Sequence, residues 1–91
     1  MNEVTVRFYA TLKDKVGQSP VVVGAGSVAE VLEGLKARFG RAFSDAVFPA
    51  GEFNDRYIIL LRGKRIFRAD QDKIILSPGD ALDVFPPVAG G

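Results

Sequence analysis

The sequence predicts an α+β domain: a mixed sheet with one main helix packed on one face. Three observations carry this. Residues 3–9 alternate apolar and polar side chains at the period of a strand. Residues 27–39 carry a capped apolar stripe at helical spacing. Residues 81–85 read as a last strand that Pro86-Pro87 must end, because proline offers no amide to a ladder.

Each element follows from its residues. In the first strand Val4, Val6 and Phe8 share one face, and Thr5, Arg7 and Tyr9 the other. Residues 10–19 are expected to form a polar connection, with Lys13, Asp14, Lys15 and Gly17. Pro20-Val21-Val22-Val23 reads as a second strand, with Pro20 at its start or edge. The short link predicts an antiparallel hairpin. Ser27 and Glu30 form a capping box ahead of the stripe Val28, Val31, Leu32, Leu35 and Phe39, and Gly40 ends the helix.

Residues 41–54 are expected to make a short helical turn and then a loop whose apolar residues cap the core. Residues 56–62 read as a strand apolar on both faces, Gly63 as a turn, and Arg65-Ile66-Phe67 as a return strand. A loop from Asp70 to Leu76 brings Ile74 and Leu76 inward, and Ser77-Pro78-Gly79-Asp80 is a turn by composition. The order strand, strand, helix, strand, strand, strand fits a β-grasp, in which the last strand lies centrally beside the first. A chain of 91 residues has room for one such domain. It is read as residues 1–85, followed by a flexible tail at 86–91.

Composition excludes several function classes. The chain has no cysteine and no histidine. Ser-His or Cys-His nucleophilic catalysis is therefore excluded, and so is zinc bound by nitrogen and sulfur ligands. A small enzyme using only carboxylates or lysines stays open. The net charge of +1 is far from that of a nucleic-acid module. No apolar run approaches the roughly 18 residues of a membrane span, and the N-terminus lacks the pattern of a signal peptide. A cytoplasmic protein is expected.

The chemistry is expected at the end of the chain. The tail reads Phe85-Pro86-Pro87-Val88-Ala89-Gly90-Gly91. Prolines favour an extended stem, and six residues past Phe85 reach about 20 Å at full extension. Two residues without side chains can thread a narrow channel and leave a terminal carboxylate open to attack. The bland alternative is a frayed end rich in small residues. Composition alone does not separate the two; the rigid prolines before the glycines favour the first.

These residues resemble a known family. Gly79-Asp80 and the ending from Phe85 to Gly91, the opening Val6-Arg7-Phe8-Tyr9-Ala10-Thr11-Leu12 with Gly17, and Ser27-Val28 leading Val31-Leu32 and Leu35 are similar to the MoaD/ThiS group of ubiquitin-like sulfur carriers. Among these they most resemble the small subunit of molybdopterin synthase. The resemblance implies a carrier rather than an enzyme. It implies that an E1-like adenylyltransferase uses ATP and Mg2+ to adenylate Gly91, that a sulfur donor converts it to a thiocarboxylate, and that the large synthase subunit takes up the tail. The chain itself would bind no cofactor and no metal. Gly90, Ala89, Val88, Pro87 and Pro86 would contact partners. The sequence departs from the family in having Arg62-Gly63 where Asn-Gly is common, and in a longer stretch from Gly40 to Asp55. Related carriers serve thiamin synthesis, tRNA thiolation or conjugation to lysines. In a conjugation role Lys13, Lys15, Lys36, Lys64 and Lys73 would be attachment points.

The sequence carries three further signals. One helix covers one side of a sheet, so Phe85, Tyr9 and part of the 57–61 strand are expected on an open face that docks a partner. The competing reading folds 41–54 over that face. Gly24-Ala25-Gly26-Ser27-Val28-Ala29 matches a dinucleotide fingerprint, but that fingerprint needs a parallel βαβ unit in a larger sheet. Arg62, Lys64, Arg65 and Arg68 form a basic cluster, read as a solvated turn before an acidic-partner dock, with no nucleic acid expected.

Overall fold

The computed structural model describes residues 2–87. Strand β1 runs Glu3–Phe8, and its inward residues Val4, Val6 and Phe8 are almost completely buried. The connection to the next strand is not a polar loop. It is a helix, α1, at Ala10–Val16, which Gly17 ends in the left-handed conformation at φ 75°. Leu12 is the reason the segment packs: it is the only residue of α1 that is fully buried. Strand β2, Val21–Gly24, then pairs antiparallel with β1, so the predicted pairing holds although the short link does not.

Helix α2 occupies Val28–Phe39, with the predicted capping box in place. Glu30 N donates to Ser27 Oγ at 3.0 Å, and Ser27 N donates to Glu30 Oε1 at 2.8 Å. Gly26 belongs to that geometry, because a Cβ there would fall 2.8 Å from Glu30 Oε1. Val28, Val31, Leu32 and Leu35 are buried, and Phe39 meets Phe8 edge-on at 5.8 Å between ring centroids. Gly40 turns the chain directly into α3, Arg41–Val47, which buries Phe43 and Val47. A 3-10 turn at Pro49–Gly51 follows. This segment packs against α1 and α2 and sets Phe43 beside Phe8 at 6.0 Å. It thickens the helical layer and leaves the other sheet face open.

Strand β3, Ile58–Leu61, pairs antiparallel with β4, Lys64–Ile66. Arg62 at φ 53° and Gly63 at φ 78° make the two-residue turn between them, with both residues left-handed. Arginine replaces the customary asparagine there, and its guanidinium is held by Asp80 at 3.1 and 2.6 Å. The return strand begins one residue earlier than expected, so Phe67 lies outside it and is exposed. A second 3-10 turn spans Arg68–Asp70, and Leu76 enters the core. Ile74 is half-buried against that core.

Strand β5, Ala81–Phe85, completes a five-stranded sheet in the order β2-β1-β5-β3-β4, parallel to β1 and antiparallel to β3. This is the β-grasp, with the last strand in the middle. Among the described residues no helix is long and apolar enough to cross a membrane.

Candidate functional site

The open face of the sheet is built by the residues that alternate away from the helices. Register sets Arg7 beside Asp83, Asp83 beside Leu60, and Leu60 beside Arg65, so one row crosses the sheet from β1 to β4. The next row pairs Phe85 with Ile58. Tyr9 stands just past the end of β1 and stacks on Phe85, with centroids 4.2 Å apart and planes within 12°. Tyr9, Phe85 and Ile58 thus come together on this face, with Leu60 half-buried beside them. Tyr57 does not join them. It is buried with Ile59 and Leu61 in the core, because odd positions of the strand face the helices.

The face is less apolar than expected, because charge runs through it. Arg7 grips Asp83 with two hydrogen bonds, Nε to Oδ1 at 2.5 Å and Nη2 to Oδ2 at 3.0 Å. The Tyr9 hydroxyl donates to the same Oδ1 at 2.9 Å. Desolvation, and then the Asp83 hydrogen bond and charge, raise the Tyr9 phenol above its ordinary pKa, against the lowering effect of Arg7. The phenol therefore stays a donor through the neutral range. Sequence reasoning missed Arg7 and Asp83. Their opposite charges on the outward face were the available signal, and only the parallel β1–β5 register shows that they meet.

The backbone just before Tyr9 is also held. Phe8 N donates to Ser19 Oγ at 2.9 Å, and the Ser19 hydroxyl donates to Phe8 O at 3.1 Å. Ala10 then takes φ 52° and turns the chain into α1. Beside this corner lies an apolar depression of about 530 Å³ lined by Tyr9, Ala10, Thr11, Ile58, Phe85, Pro86 and Pro87. The stem of the tail therefore starts from the wall of a groove at the end of the central strand. Val88, Ala89, Gly90 and Gly91, the expected reacting and channel-lining residues, lie outside the described residues.

The other signals resolve into structure. The amides at the start of α2 are all taken within the chain. Ser27 N and Glu30 N serve the capping box, Val28 N donates to Ile74 O at 2.9 Å, and Ala29 N donates to Gln71 O at 2.8 Å. None is left to cradle a phosphate, so the glycine loop is not a nucleotide site. In the basic cluster, Arg62 is tied to Asp80, and Arg68 to Asp55 and the Phe53 carbonyl. Arg65 lies over the Phe67 ring at 4.7 Å. Two of the four cations are struts rather than a free binding surface.

A sequence model of the ThiS family matches residues 6–91, from the middle of β1 through the Gly-Gly end. The chain belongs to the ThiS family. Its members are small ubiquitin-like sulfur carriers, and membership implies an E1-like activating partner. Small archaeal modifier protein 3 of Haloferax volcanii is 35% identical, over 98% of this chain and 99% of its own. The solution structure of small archaeal modifier protein 1 from Methanosarcina acetivorans superposes with a TM-score of 0.84 at 26% identity, covering 100% of this chain and 98% of that one. A Pyrococcus furiosus structure assigned provisionally as molybdopterin converting factor, subunit 1, superposes with a TM-score of 0.74 at 26% identity, covering 97% of this chain and 100% of that one. The ThiS-family assignment and the β-grasp therefore agree over nearly the whole length.

Proposed function

We propose that this chain carries sulfur on Gly91. An E1-like adenylyltransferase, using ATP and Mg2+, adenylates the Gly91 carboxylate. Attack by sulfide-level sulfur from a donor on the acyl carbon breaks the bond to AMP, which leaves, and forms a thiocarboxylate. The observation that supports this most is where the stem begins. The central strand β5 ends at Phe85, and Pro86-Pro87 follow at once from the wall of an open apolar groove. A partner seated on that face would meet the tail where it leaves the fold. Val88, Ala89 and Gly90 then fill the partner's channel, and the chain works in the cytoplasm as a protein co-substrate.

For the acceptor, the ending from Phe85 to Gly91 favours molybdopterin synthesis, with the large subunit of molybdopterin synthase as the second partner. The test is complex formation with that subunit by gel filtration and titration calorimetry. The wild-type chain is expected to bind and Phe85→Asp to bind at least tenfold more weakly. A wild-type chain that forms no complex would rule out this acceptor.

A second reading has its own support. The relative at 35% identity carries the name of a protein modifier. In that role the activated Gly91 joins a lysine of a target by an isopeptide bond. Lysine-linked adducts that vanish when Gly91 is deleted would show it. Sulfur transfer to thiamin or to tRNA shares the first two steps and differs only in the acceptor.

A further inference from the structure

Asp83 is unusual for its place. It sits at the centre of the sheet with Arg7 on one side and Leu60 on the other, two residues before the end of the strand that launches the tail. An exposed ion pair alone contributes little to stability, and Arg7 is well exposed. What Asp83 adds is a fixed acceptor. Arg7 occupies both of its oxygens and orients the carboxylate, and Oδ1 then takes the Tyr9 hydroxyl at 2.9 Å. Tyr9 is past the β1 ladder, so no sheet hydrogen bond fixes its ring. Two contacts do so, the stack on Phe85 and the bond to Asp83. Asp83 and Phe85 share a face of β5, so the phenol lies back along the strand over its last turn of pleat.

We propose that Asp83 is a positioning residue for the tail: through the Tyr9 hydroxyl it clamps the Tyr9–Phe85 stack and so sets the direction in which the Pro86-Pro87 stem leaves the sheet. The inference rests on the carrier reading in one respect, that a partner must take up the tail. The consequence is one of population. If only a fraction of the chains aim the stem correctly, the apparent affinity of the partner falls by that fraction. Once the tail is in the channel, the channel holds it, so the rate at saturation is spared.

The test compares Tyr9→Phe, Asp83→Ala and the double variant with the wild-type chain, using ATP–pyrophosphate exchange by an E1-like adenylyltransferase. Tyr9→Phe keeps the ring and loses only the hydroxyl. The expected result is a KM about five- to tenfold higher in each single variant, with kcat within about twofold. The double variant should be no worse than the worse single one, because both break the same bond. In the isolated protein, the ring-proton shifts of Phe85 should move in both single variants. Unchanged KM in the variants would overturn the proposal, and so would additive losses, which would mean that each residue touches the partner directly. Phe85 ring shifts that stay at their wild-type values would overturn it without any enzyme. A wild-type chain that is not adenylated would defeat the carrier reading instead, and the ring shifts would still decide whether the clamp exists.

Discussion

Asp80 shows how single residues hold this fold. Its carboxylate accepts from Ser77 N at 2.7 Å and from both forks of Arg62, and so joins the turn before β5 to the turn between β3 and β4. The Ser77 amide, and then Arg62, hold the Asp80 carboxyl below its ordinary pKa of 3.8, against the effect of burial. A lowered carboxylate stabilises the folded chain above its unfolded pKa and loses that contribution as pH falls through the folded one. Asp80→Asn is therefore expected to melt lower than wild type at pH 7, with the gap closing below about pH 4. Melting curves at both pH values check this; a gap that persists in acid would assign the effect to shape rather than charge. Under the proposed function, Phe85 is the matching residue. A charge there should cost partner binding while leaving the melting temperature within a few degrees, because the ring is only half-buried on a solvated face.

Elements differ in how much of them a sequence discloses. Helix α2 is fully legible because a capping box, a five-residue stripe and a terminal glycine all agree. Ser27→Ala should cost roughly 1 kcal/mol in denaturant unfolding, the usual cost of a lost N-cap. Helix α1 was not legible. It has seven residues, too few for a periodic stripe, and Leu12 is its one fully buried residue between Lys13, Asp14 and Lys15 on one side and a left-handed Ala10 on the other. Its place in the core is nonetheless firm, and Leu12→Ala should cost roughly 2–5 kcal/mol. A loss under 1 kcal/mol would mean that α1 is dispensable packing. The strand at 56–62 is apolar on both faces in sequence; burial separates Tyr57, Ile59 and Leu61 from Ile58 and Leu60.

At the scale of the molecule, the β-grasp places the last strand centrally, and under the proposed function that is what puts the C-terminal end to use. A tail leaving an edge strand would start away from any broad surface. Here it starts beside the open face, with the groove and the Tyr9–Phe85 stack at its root. The tail motif is a reading of the residues alone, and only its stem, Pro86 and Pro87, falls among the described residues. The Arg7–Asp83–Tyr9 cluster is not legible in the sequence, because residues 7 and 83 become neighbours only through the parallel pairing of the first and last strands. Open-face chemistry in this fold depends on register, which local sequence does not encode. The central claim is that Gly91 is the reacting residue. Its most direct test is the intact mass of the chain after incubation with an E1-like adenylyltransferase, ATP, Mg2+ and a sulfur donor. A mass gain equal to one oxygen exchanged for sulfur, localised by fragmentation to Gly91 and lost when Gly91 is deleted, is the predicted result. An unchanged mass with an enzyme that activates a related carrier under the same conditions would contradict the account.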